Sequence, residues 1–117
     1  MALNIVMVTI DCESPRKLAE FWTQALDTSV AFDVGEFVML AANEEGGVAL
    51  GLQRVAEPRA GKNRVHVDLN AADRHAEVRR LVALGAAEVG EHEVPGGLAW
   101  TVLQDPEGNE FCVSSGH

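Results

Sequence analysis

Cysteine is scarce in this chain: Cys12 and Cys112 are two of 117 residues. Two thiols so placed make neither a disulfide framework nor a metal or redox motif, and both are expected to stay reduced. Long apolar runs are missing as well, none approaching the roughly 18–20 residues that a membrane-spanning helix needs. The opening stretch MALNIVMVTIDCE has no basic segment and no small-residue cleavage site, so the expected compartment is the cytoplasm, with no membrane partner. Basic side chains are few, nine against eighteen acidic ones, for a net charge of −9. A field of that sign repels phosphate backbones and argues against nucleic acid as a partner, while it attracts cationic small molecules. Solubility of a cytosolic domain asks for the same surface.

What is present is an ordinary globular composition, 47% hydrophobic and 23% charged, in a chain of single-domain length. Residues 4–11 alternate, with Val6, Val8 and Ile10 on one face and Ile5, Met7, Thr9 and Asp11 on the other, which predicts a strand with one buried side. Ser14-Pro15 then opens a helix on which Leu18, Phe21, Trp22, Ala25 and Leu26 share a stripe, ending near Asp27. Three strands are predicted next, over 29–34, 37–42 and 48–55, separated by Gly35-Glu36 and by a solvated loop at 43–47. Residues 57–62, EPRAGK, have linker chemistry.

The chain then repeats itself. Val65, Val67 and Leu69 follow Val6, Val8 and Ile10 at an offset of 59, Asp73 takes the capping place of Ser14, and Val78, Leu81, Val82 and Gly85 follow Leu18, Phe21, Trp22 and Ala25 at an offset of 60. Strands are again predicted, over 87–92, 98–104 and 110–114, the last two joined by the turn DPEGN at 105–109. A duplicated strand–helix–three-strand unit constrains the fold more than any single element. The expected class is α+β: one domain over 1–117, with βαβββ modules at 1–56 and 63–117 whose curved mixed sheets surround a cleft. One helix covers one face of each sheet, sealed by Leu18, Phe21 and Trp22 in one half and by Val78, Leu81 and Val82 in the other. The opposite faces carry Met7, Thr9, His66 and Asp68, too polar for a dry core and suited to lining a ligand cleft.

Ile10-Asp11-Cys12 with Phe21-Trp22, then NRVHVDL at 63–69 and WTVLQDPEGNEF at 100–111, resemble the vicinal-oxygen-chelate superfamily. That superfamily includes glyoxalase I, extradiol dioxygenases, fosfomycin-modifying enzymes and bleomycin resistance proteins, and the likeness is strongest to its small glyoxalase-like branch. The resemblance implies the glyoxalase/bleomycin resistance/dihydroxybiphenyl dioxygenase fold, and often a homodimer. In the metal-dependent members four side chains hold a divalent ion, from the first and last strand of each half. On the family's spacing those places fall on Met7, on His66, on Gly51 or Gln53, and on Cys112 where those members keep a glutamate. One usual ligand, His66, survives, and such a site would bind hard ions poorly. No metal or other cofactor is expected; the alternative is Zn²⁺ or Cu(I) held by His66 with Cys112, assisted by Asp68 or Met7.

The cleft is expected to be lined by Met7, Thr9, Gly51, Gln53, Arg64, His66, Asp68, Trp100 and Cys112. His66 and Asp68 are the candidate catalytic pair, as base and partner, or are polar residues that only shape the pocket. Trp100 is either a stacking platform for a planar or cationic ligand or a core residue. Cys112 is a nucleophile if His66 activates it, and otherwise an inert small side chain. Trp22 belongs to the core, and His75 and His92 to the surface. Two functions follow: a small-molecule-binding protein that sequesters a cationic or aromatic ligand, as bleomycin resistance proteins do, or a glyoxalase-like lyase, isomerase or dioxygenase-type enzyme using His66 and Asp68, with or without a divalent metal.

Overall fold

The computed structural model describes residues 5–44, 47–58, 60, 61, 63, 65–93, 95 and 99–115. The chain divides between residues 59 and 60 into two compact units, inside the expected linker. In the first, β1 (Met7–Cys12) leads to α1 (Pro15–Leu26), then β2 (Val30–Asp33), β3 (Phe37–Leu40) and β4 (Ala49–Arg54). In the second, β5 (Val67–Asn70) leads to α2 (Arg74–Leu84), then β6 (Ala87–Glu93), β7 (Ala99–Gln104) and β8 (Glu110–Ser115). The strand orders are β1-β4-β3-β2 and β5-β8-β7-β6. The first strand of each unit runs parallel to its last, and the other pairs are antiparallel. A parallel pair cannot be joined by a tight turn, so the helix and two strands are inserted between its members. The fold is therefore α+β with two βαβββ modules. No helix among the described residues is long and apolar enough to cross a membrane.

In the first unit α1 begins at Pro15, whose missing N–H costs nothing in the first turn. It ends at Asp27, held left-handed at φ 52° with its N–H donated to the Thr23 carbonyl. Its stripe of Leu18, Phe21, Trp22 and Ala25 is buried, as are Val38, Leu40, Leu50 and Leu52 on alternate positions of β3 and β4. Phe21 and Trp22 meet edge to face, centroids 5.1 Å apart. Trp22 is a core residue as expected, at 1% exposure, and truncating such a residue typically costs about 3–5 kcal/mol.

In the second unit Asp73 caps α2, its Oδ1 accepting from the Ala76 N–H at 3.1 Å. Val78 and Leu81 are buried with Leu103, Phe111 and Val113 of β7 and β8. Arg74 ties the helix to the sheet by donating from Nη1 to Thr101 Oγ1 (2.6 Å) and Glu91 Oε1 (2.9 Å). The DPEGN turn is built on Asp105, 3% exposed: Oδ1 accepts from the N–H groups of Glu107 and Asn109, and the Asn109 amide donates to both carboxylate oxygens. Gly108 supplies the positive φ of 86° that closes it.

Three apolar residues assigned to the core are instead exposed: Val6 at 69%, Val65 at 72% and Val82 at 44%. β4 starts opposite Met7 and β8 starts opposite the residue before Val67, so Val6 and Val65 lie past the ends of their sheets. Val82 falls at the margin of a stripe centred on Val78, Leu81 and the side-chain-free Gly85, and only the first two of these carry the burial.

Candidate functional site

Strand register sorts the second unit's side chains into two faces. Val67, Leu69, Phe111, Val113, Leu103 and Thr101 share the α2 face, as the Arg74–Thr101 hydrogen bond and the burial of Phe111, Val113 and Leu103 require. Asp68 pairs with Cys112 on β8, Cys112 with Val102 on β7, and Trp100 with both Ser114 and His92, so these six form the opposite face. His66, two residues before Asp68, lies on that face at the mouth of β5.

On this face three different donor types converge. His66 Nε2 lies 3.7 Å from Asp68 Oδ1, too far for a hydrogen bond and close enough for an ion pair when the imidazole is protonated. Ligand atoms of His66, Asp68 and Cys112 all lie within 4.8 Å of one another. The two strand-mouth side chains are open to solvent, 49% and 59% exposed, whereas Cys112 on the inner strand β8 is buried. Burial pushes the Cys112 thiol above its ordinary pKa; the charge and hydrogen bonding of Asp68, then the charge of Glu110, push the same way. At neutral pH the thiol keeps its proton, the reverse of what an activated nucleophile requires. Of the two readings of Cys112, burial and the charge of the two neighbouring carboxylates, which opposes activation by His66, favour the inert thiol.

Trp100 is half-buried, and its indole stacks on the His92 ring with centroids 5.5 Å apart and planes inclined by 23°. Its face is the one that carries Cys112 and Asp68, not the face under α2. The surface placement of His92 holds, but the residue has a neighbour that a single-strand reading does not show.

The first unit has the same face with different chemistry. Thr9 and Met39 pair with Gly51, Phe37 with Gln53, and Met7 with Ala49. A Cβ placed on the buried Gly51 would lie 3.0 Å from Met7 Sδ and 3.0 Å from Phe37 Cζ. The Met7 and Phe37 side chains therefore occupy the space over this position, and a longer residue fits there only if both move. Gln53 turns its amide to the Glu36 and Arg54 carbonyls (3.3 and 3.4 Å), and Thr9 is exposed. Cys12 lies on the α1 face, its thiol donating to the Gln53 carbonyl at 3.6 Å, as its parity with Met7 predicts. Both cysteines are buried thiols, not half-cystines. Arg64, Leu98 and His117 lie outside the described residues.

Phe37 is a residue that sequence reasoning passed over. It stands in β3 opposite Gln53, two places after Gly51, as Trp100 stands in β7 opposite Ser114, two places after Cys112. The signal lay in the repeat: FVML at 37–40 and WTVL at 100–103 occupy corresponding strands. The hard-ion centre of metal-dependent vicinal-oxygen-chelate proteins does not fit these residues, since apolar side chains fill the space over Gly51, Met7 offers a thioether and Cys112 a thiol.

A family model described as "Glyoxalase-like domain" matches residues 7–114. No curated protein sequence matches the chain significantly. Among solved structures, a glyoxalase/bleomycin resistance protein/dioxygenase family enzyme from Burkholderia phytofirmans PsJN superposes with a TM-score of 0.80 at 18% identity, over 97% of this chain and 98% of that one. Lactoylglutathione lyase from Agrobacterium tumefaciens gives 0.74 at 17% identity, over 99% and 96%. TioX from Micromonospora sp. ML1 gives 0.65 at 17% identity, over 96% and 98%. At such identities the likeness is one of fold.

Proposed function

The chain belongs to the glyoxalase-like domain family of the vicinal-oxygen-chelate superfamily, and from that premise we propose that it is a binding protein for a small cationic, aromatic molecule held on the face of its second module that lies away from α2. The observation that carries this reading is the Trp100–His92 stack on the face that also presents Asp68 and Cys112. A half-buried indole takes a flat ring or a cation over its face, worth about 0.5–2 kcal/mol. The exposed Asp68 carboxylate supplies the opposite charge, and the net charge of −9 raises the local concentration of cations. Sequestration of this kind makes and breaks no bond.

Titration with cationic aromatic compounds, read by thermal shift and tryptophan fluorescence, tests the proposal. Binding should quench the half-exposed Trp100 while Trp22 stays buried and unquenched, and W100A should lose most of the affinity. Absence of stabilisation across a panel of such compounds would overturn it. The second reading, a lyase or isomerase, is favoured by the approach of His66 to Asp68 and by the fold shared with the Agrobacterium lyase. It predicts turnover of a glutathione hemithioacetal that H66A abolishes.

A further inference from the structure

We infer that His66, Asp68 and Cys112 form a self-contained site for one thiophilic metal ion of the Zn²⁺ class, replacing the family's hard-ion centre rather than preserving it. The inference goes beyond the ligand reading and does not rest on it.

Three observations carry it. The donors converge: the three ligand atoms lie within 4.8 Å of one another, and the His66–Asp68 pair at 3.7 Å. A tetrahedral site with Zn–N, Zn–O and Zn–S bonds of ~2.0–2.3 Å needs donor separations of about 3.3–3.8 Å. The His66–Asp68 pair already falls in that range, and a contraction of at most about 1 Å for the others is within reach of side-chain rotation. Rotation is available, because His66 and Asp68 are solvent-open while Cys112 is held in place by strands on both sides.

The donor set is also selective. Imidazole and thiolate suit Zn²⁺, and the thiolate discriminates against Mg²⁺ and Ca²⁺. One thiolate and one carboxylate with a neutral imidazole would balance a divalent charge, leaving a fourth place to water or a bound molecule. Finally, all three donors belong to the second unit, and Asp68 lies outside the set of places the family uses. Over the matching position of the first unit, Gly51 is covered by Met7 and Phe37. Three donors from one unit with water in the fourth place complete a four-coordinate centre, so no side chain of residues 1–59 has to serve as a ligand.

Co²⁺ is the probe. Chelator-stripped, reduced protein titrated with Co²⁺ should develop thiolate-to-cobalt charge-transfer absorption in the near ultraviolet and intense visible bands of a four-coordinate centre. Both should saturate at one equivalent and be abolished by one equivalent of Zn²⁺. C112S should lose the charge-transfer band, and D68N and H66A should each weaken binding at least about tenfold. C12S and W100A should titrate as wild type, so failure here and failure of the ligand reading are separable. Should C112S not fold, as judged by circular dichroism, D68N and H66A carry the test. Absence of a thiolate band, a band that follows Cys12, or unaltered affinity in both D68N and H66A would overturn the site.

Discussion

Cys112 holds its proton chiefly because burial would strip water from the thiolate, and further because ionisation would put a third negative charge beside Asp68 and Glu110. Its raised pKa has a definite sign for stability. The folded protein keeps the proton over a range where the unfolded chain has already lost it. The resulting stabilisation is complete below the ordinary thiol range and is lost as pH rises from there through the raised value. Denaturation midpoints followed from pH 7 to 11 should fall on the alkaline side, and C112S should flatten that fall. Alkylation read by mass spectrometry should be slow at neutral pH and faster in D68N at every pH below the thiol's midpoint. Equal rates in wild type and D68N would remove Asp68 as a cause. Gly51 yields the complementary residue-scale prediction. G51E restores a carboxylate where the metal-dependent relatives are expected to use one, yet its Cβ must displace Met7 Sδ and Phe37 Cζ from 3.0 Å. Overpacking of this kind costs about 1–3 kcal/mol. G51E should unfold at lower urea and gain no Mn²⁺ or Ni²⁺ binding; a gain of such binding at undiminished stability would refute the account of an apolar plug.

At the scale of elements, the turn between β7 and β8 sets the register that brings Cys112 opposite Asp68 and Val102. Asp105 accepts from two backbone N–H groups and from the Asn109 amide, all to a carboxylate with 3% exposure. D105A should cost about 3 kcal/mol, as expected when several charge-assisted bonds to a buried carboxylate vanish together. N109A, which removes the amide but leaves the backbone donors, should cost about 1 kcal/mol. Denaturant midpoints at unchanged m-values measure both, and equal costs for the two would show that the carboxylate does not organise the turn. These elements were legible beforehand because each advertises itself locally: alternation marks the strands, Pro15 and Asp73 the helix starts, and the repeat ties the halves together. The ends of the sheets were not, because Val6 and Val65 continue the alternation of their strands after the neighbouring strand has stopped. The convergence of Asp68 with Cys112 was legible only through the family resemblance. It depends on β5 pairing with β8, a register between segments more than forty residues apart that no local pattern records. Phe37 was hidden for a different reason, since an aromatic in a short strand reads as core until its repeat partner Trp100 is seen to stand on the face away from the helix.

At the scale of the whole molecule, charge and shape make different contributions to the proposed binding and can be separated. The eighteen acidic residues act at a distance, and their attraction for a cation is cut as salt shortens the Debye length from about 10 Å at 0.1 M to about 3 Å at 1 M. The Trp100 contact acts only on touching and is nearly indifferent to salt. A cationic aromatic ligand should therefore bind several-fold more weakly at high salt, with most of the loss in the association rate. Its neutral isostere should bind with about the same affinity throughout. W100A should weaken both ligands by a similar factor at every salt concentration, because the stacking surface serves each alike. Stopped-flow tryptophan fluorescence at two ionic strengths measures these quantities for wild type, while isothermal titration covers W100A. A cation whose affinity does not respond to salt, or a neutral analogue that loses as much as the cation, would contradict the assignment of long-range attraction to the acidic surface and short-range selectivity to the indole.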